Sequence, residues 1–200
     1  MLAALMRVVT YSGLAVAIAY LLVLEATVLQ GFDRFAELGF VELTQAAFLT
    51  ISVVVCLWQV RFVPERSALA ACLAMVFAIL LVRENDQIFE LWLVHGFWKW
   101  PALLIFIGLL TYFIRHRHEV LAQLNSLVPT LAFGVLLAGF STLVFARIFG
   151  SSQLWEVVMG GAYLRVVKQA AEEGTEVFAL GLLMAGCMEM ALAGRRLGRA

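Results

Sequence analysis

Leu164-Arg165-Val166-Val167-Lys168-Gln169-Ala170-Ala171-Glu172-Glu173-Gly174-Thr175-Glu176, with the uncharged run Val177–Met188 behind it, is the stretch on which the fold turns. Lys168, Glu172 and Glu176 recur at four-residue intervals and so share one face of a helix, with Glu173 one position to the side. The apolar run that follows belongs in hydrocarbon. Charges gathered at the mouth of such a helix are costly unless they are paired or put to use. A second stretch answers it at the end of another apolar segment: Val82-Arg83-Glu84-Asn85-Asp86-Gln87-Ile88-Phe89-Glu90. Here Arg83, Asp86, Gln87 and Glu90 fall on one helical face and Glu84 on another.

Composition names the solvent. Hydrophobic residues make up 64% of the chain and charged residues 14%, and the mean hydropathy is +0.97. Soluble domains average about 45–50% apolar and about 25% charged residues, so the excess calls for a bilayer. The formal net charge of zero leaves no basic surface for nucleic acid. Cys56, Cys72 and Cys187 all lie in apolar segments at spacings that suit no metal site, and read as small core or lipid-facing residues. Met1–Ala26 has an apolar run too long for a signal core and no small-residue cleavage site, which makes it a retained first span.

A crossing helix needs roughly 20 apolar residues. Val8–Leu29, Phe40–Val60, Ser67–Phe89, Phe97–Ile114, Leu127–Ile148 and Glu172–Ala193 are the expected spans. Pro64, Pro101 and Pro129 stand at or near segment ends, where a missing N–H costs little. No repeat or long linker interrupts the chain, so residues 1–200 are expected to form a single all-α membrane domain, a six-helix bundle. Cytoplasmic connections are enriched in lysine and arginine. Arg7, Arg61, Arg66, Arg115, Arg117, Arg195, Arg196 and Arg199 fall on one side, against Arg34, Lys99, Arg147, Arg165 and Lys168 on the other. The bias predicts both termini in the cytoplasm, in a bacterial inner membrane.

This topology sets Glu25, Glu42, Arg83, Glu84, Asp86, Arg147 and Glu172–Glu176 near one level, the outer edge of the bilayer. Two outer connections are expected at the interface. Leu91–Trp100, with its tryptophans, His95 and Lys99, suits a segment lying on the membrane, and Gly150–Tyr163 carries Ser151, Ser152, Trp155 and Gly160-Gly161. Either is placed to roof a polar pocket.

The predicted ligand-binding set is Glu42, Arg83, Glu84, Asp86, Lys168, Glu172, Glu173 and Glu176. Arg83 is expected to pair with a carboxylate of another helix, Glu173 or Glu176 first. The carboxylates of Glu172, Glu173 and Glu176 repel one another unless a cation or proton is shared among them; Lys168, Arg83, Arg147 and Arg165 are the candidates within the chain. Glu173-x-x-Glu176 resembles half of the carboxylate pattern of di-metal helix bundles, but the Glu-x-x-His partner is absent, so no metal ligands are assigned. Ser151 and Ser152 lack a nucleophile-elbow setting, His95 alone makes no triad, and no phosphate-cradling motif occurs. No catalytic residue or cofactor is named by the sequence.

The leading expectation is a small ion or proton, or a polar lipid headgroup, bound or conducted at the outer edge. The mixed signs favour a zwitterionic or proton-coupled ligand over a bare anion or cation. A membrane-embedded enzyme acting on lipid, metal-dependent or not, is the alternative. A third is a subunit of a membrane assembly, or a homo-oligomer, meeting its partner through these charges. Gly134-x-x-x-Ala138 and Gly181-x-x-x-Ala185 supply small-residue faces for helix packing, within a protomer or between protomers.

Overall fold

The computed structural model describes residues 2–28, 39–86 and 96–197. Gln87, Glu90, His95, Arg34 and the first half of the Leu91–Trp100 connection lie outside the described residues. The helices are α1 Leu2–Val28, α2 Phe40–Phe62, α3 Ser67–Glu84, α4 Lys99–Leu127, α5 Leu131–Phe149, the short α6 Ser152–Met159, and α7 Arg165–Leu197. Single 3-10 turns, Pro64–Arg66 and Gly160–Ala162, precede α3 and follow α6. No strand occurs among the described residues.

Among the described residues five helices are long and apolar enough to cross a membrane: α1, α2, α3, α5 and α7. They mark a multi-pass membrane protein. α4 differs because its apolar part, Pro101–Ile114, is bounded by Lys99 and by Arg115-His116-Arg117-His118, shorter than the roughly 20 residues a hydrocarbon core takes. The helix does not end at those charges. It kinks at His116, whose φ is −108° and ψ 16°, and continues to Leu127. Beyond the kink, Val120 and Leu127 are buried while Arg115 and Arg117 are exposed.

Two further boundaries depart from expectation. α7 starts at Arg165, well before Glu172, because the polar turns around Lys168 continue the same helix that the apolar run forms. Gly150–Tyr163 is no open connection, since it folds into α6. Gly160, at φ +55°, ends that helix in the left-handed region where a Cβ is unwelcome.

The chain divides into two compact units. The first comprises Met1–Gln45 and Gly139–Gly181, the second Ala46–Ala138 and Leu182–Ala200. Burial along α2 follows a strict stripe of Val41, Gln45, Leu49, Ser52, Cys56, Gln59 and Val63. Its steps of three and four residues are those of a helix seam, so Gln45, Ser52 and Gln59 face inward with Val41, Leu49 and Cys56, while Leu43, Val54 and Leu57 face outward.

In the second unit, α3 and α4 pack against each other. They are pinned by Arg66, one of the basic residues counted toward the cytoplasmic side, which is 1% exposed. Its Nη1 donates to the Gln123 carbonyl and to Ser126 Oγ, both at 2.8 Å, while Gln123 Oε1 accepts from Leu69 N at the start of α3. A cation thus meets the last turns of α4, where unpaired carbonyls and the helix dipole attract it. Also here, Cys56 and Cys187 lie with their Sγ atoms 3.7 Å apart, fully buried, as core thiols should. α5 and α7 approach closely at Gly186, where a Cβ would stand 2.7 Å from Leu136 Cγ. Gly134 has nothing within 4 Å, so within this chain that glycine makes no packing contact.

Candidate functional site

The charges at the head of α7 are assembled wholly within the first unit. α7 presents Lys168, Glu172, Glu173 and Glu176; α5 brings Arg147 in its last turn, and α2 brings Glu42 and Gln45 in its first turns. α1 brings Glu25 near its end.

Glu172 is the hub of the ion pairs. Lys168 Nζ bonds its Oε2, and Arg147 Nη1 bonds its Oε1 at 3.2 Å. The same Nη1 stands 3.5 Å from Glu176 Oε1. Of the four candidate cations, Arg147 and Lys168 therefore serve the acidic group. Gly150 makes the arrangement feasible: a Cβ there would stand 2.5 Å from Glu172 Cδ, so the carboxyl group lies against bare backbone. The end of α5 is held by Trp155 of α6, whose Nε1 donates to the Phe149 carbonyl at 2.8 Å and whose ring meets Phe149 edge-on.

Glu173 has a different partner. Gln45 Nε2 donates to its Oε2 at 2.9 Å and to its backbone carbonyl at 3.4 Å. Those two contacts fix the amide's orientation, because a flipped amide would set its oxygen against two oxygens. Gln45 Oε1 therefore faces away from Glu173. It is buried and accepts no hydrogen bond from any described residue.

Glu25, fully buried, reaches across from α1 to the start of α2. Its Oε2 accepts from Phe40 N at 2.7 Å and from Val41 N at 3.3 Å. This supplies from another helix the cap that the first N–H groups of α2 need. Glu25 Oε1 is likewise buried and accepts no hydrogen bond from any described residue. Val41 and Gln45 share one face of α2 a single turn, about 6 Å, apart, and Glu25 caps the helix on the N-terminal side of Val41.

Of the predicted set, Glu42, Lys168, Glu172, Glu173 and Glu176 belong to the first unit; Glu42 is half-buried and acts electrostatically on Glu173. Arg83, Glu84 and Asp86 belong to the second unit, half-buried at the C-terminal end of α3. Glu176, expected beside Arg83, has Arg147 as its cation. Sequence reasoning did not select Gln45, and Glu25 was placed only by level. The stripe of α2 was the available signal: a glutamine on the same face as Val41, Leu49 and Cys56 has to look inward.

Among the described residues no three His, Cys, Asp or Glu side chains are arranged to hold a metal ion. What the first unit offers chemically, among the described residues, is a set of buried acceptor oxygens that no hydrogen-bond donor reaches, Gln45 Oε1 and Glu25 Oε1 among them. Compared with family models, with curated proteins and with solved structures, the chain matches none.

Proposed function

We propose that this multi-pass membrane protein binds, and in doing so conducts or senses, a small ion at the polar cluster of its first unit. One observation carries the reading. A group of carboxylates balanced in part by Arg147 and Lys168 is enclosed by helices that are otherwise apolar. Such charges are costly in hydrocarbon and are retained where they handle an ion, a proton or a polar ligand. These unmatched acceptors favour a ligand that brings positive charge, which is a small cation, a proton or the ammonium part of a lipid headgroup.

The proposed setting is a six-span arrangement in which the apolar part of α4 also crosses, with both termini cytoplasmic, in a bacterial inner membrane. The cluster then stands at the outer edge. A stability screen of the purified protein tests the reading. Alkali and alkaline-earth chlorides, phosphoethanolamine and phosphocholine are compared at constant ionic strength. At least one should raise the melting temperature saturably in the wild type and have less effect on Glu172→Gln. A flat response to the whole panel overturns the proposal.

A further inference from the structure

The orientation of Gln45 narrows the ligand. Its Nε2 is committed to two oxygens of Glu173, so its Oε1 is aimed to the other side, fully buried, with no donor among the described residues. A buried carbonyl oxygen left unmatched costs about 1–3 kcal/mol. Glu25 Oε1, at the N-terminal end of α2, is in the same condition. Two acceptors on adjacent helices, one neutral and one anionic, ask for a positively charged group between them.

We infer that Gln45 Oε1 and Glu25 Oε1 are ligands of a small monovalent cation of the sodium class, held where α1 meets the start of α2. The inference rests on the ion-binding reading above. Ligand chemistry sets the class. Oxygen-only ligation suits a hard cation, and the divalent ions of that kind draw on several carboxylates at once. Here no three acidic, histidine or cysteine side chains among the described residues are arranged to hold a metal ion. One carboxylate oxygen and one amide oxygen give a site that a single charge satisfies. Glu173 bonds the far side of the same amide and polarises it, which strengthens the carbonyl oxygen as a ligand.

The position has a mechanical consequence. Glu25 uses its other oxygen to cap Phe40 N and Val41 N. A cation there ties the end of α1 to the first turn of α2, and its loss leaves the cap with one repelled oxygen. Binding is therefore coupled to the order of the α2 start.

The test uses the full-length protein in detergent, with sodium, lithium, potassium and magnesium chlorides against choline chloride at equal ionic strength. Sodium should raise the melting temperature by about 5 °C or more at a hundredfold excess over Kd. Gln45→Leu and Glu25→Gln should each weaken the midpoint concentration at least tenfold. A second readout, direct uptake of radioactive sodium by the wild-type protein, stands even if Gln45→Leu fails to fold, and Gln45→Asn then serves as the milder variant. If sodium acts equally on wild type and both variants, the ligand assignment is wrong while ion binding survives. If only magnesium or a headgroup analogue acts, the monovalent class is wrong. If nothing acts and no sodium is taken up, the two oxygens are served by water, and both proposals fall.

Discussion

Single side chains in this protein carry more of the structure than its apolar bulk suggests. Arg66 is the clearest case, because a buried guanidinium bonded to Gln123 O and Ser126 Oγ has no water to fall back on. Hydrogen bonds to a charged group contribute about 1.5–3 kcal/mol. Arg66→Ala should therefore lower stability by about that amount in a denaturation series, and Arg66→Lys should recover little, since the shorter lysine ends a bond short of the Nη1 position that serves both acceptors. Equal stability of the lysine variant and wild type would contradict the pin. Gly150 is a test of another kind. Its missing Cβ lets the Glu172 carboxyl lie against the end of α5. Gly150→Ala should displace that flexible side chain rather than unfold the helix, so its effect should vanish in an Arg147→Ala background. A double-mutant cycle in which the two losses simply add would show that Glu172 and Arg147 do not depend on Gly150. Arg147 itself is half-exposed, so its pairing with Glu172 and Glu176 is worth about 1 kcal/mol rather than the several of a buried pair.

At the scale of the helices, contact is decided by which face meets a neighbour. Gly186 on α7 lies so near α5 that a Cβ would stand 2.7 Å from Leu136 Cγ and 3.1 Å from its backbone nitrogen. Backbone cannot swing aside, so Gly186→Ala should cost about 1–3 kcal/mol. Gly134→Ala is the matched control: it meets nothing within 4 Å and should gain up to about 1 kcal/mol from helix propensity. Thermal melts of the two variants in one detergent should move in opposite directions. This contrast also shows what the sequence could and could not reveal. Long apolar runs made the crossing helices legible, because hydrocarbon thickness sets their length. The glycine that matters was not legible, since small-x-x-x-small spacing marks a face that permits close approach without naming the face that uses it. Helix starts were misplaced for the same reason. The bounds followed hydropathy, whereas α7 runs back to Arg165 on hydrogen bonds that hydropathy does not register.

For the molecule as a whole, the acidic head of α7 was readable from four-residue periodicity, and Lys168 with Glu172 is the pair that the periodicity implies. Glu25 and Gln45 were harder to find because their partners lie far along the chain, and no local spacing encodes a carboxylate that caps another helix. Arginine placement carries topology only in part. Arg66, one of the residues that weighed toward a cytoplasmic N-terminus, is buried as a structural pin, so it is no anchor at all. Without it the excess of basic residues on that side persists but shrinks, and the orientation then depends on whether Pro101–Ile114 of α4 crosses. Labelling decides this. With α4 and α5 both crossing in the proposed six-span arrangement, Glu119, past the kink of α4, faces the cytoplasm and Ser152, at the start of α6, faces outward. The native cysteines are all buried, so Glu119→Cys and Ser152→Cys can be compared directly in sealed cells with a membrane-impermeant maleimide. Ser152→Cys should label in intact cells and Glu119→Cys only after permeabilisation. Both labelling from outside would mean that α5 does not separate the two positions, and the reverse pattern would invert the bundle. In the inverted case the cluster around Glu172 faces the cytoplasm, and any ion it binds is drawn from the cell interior.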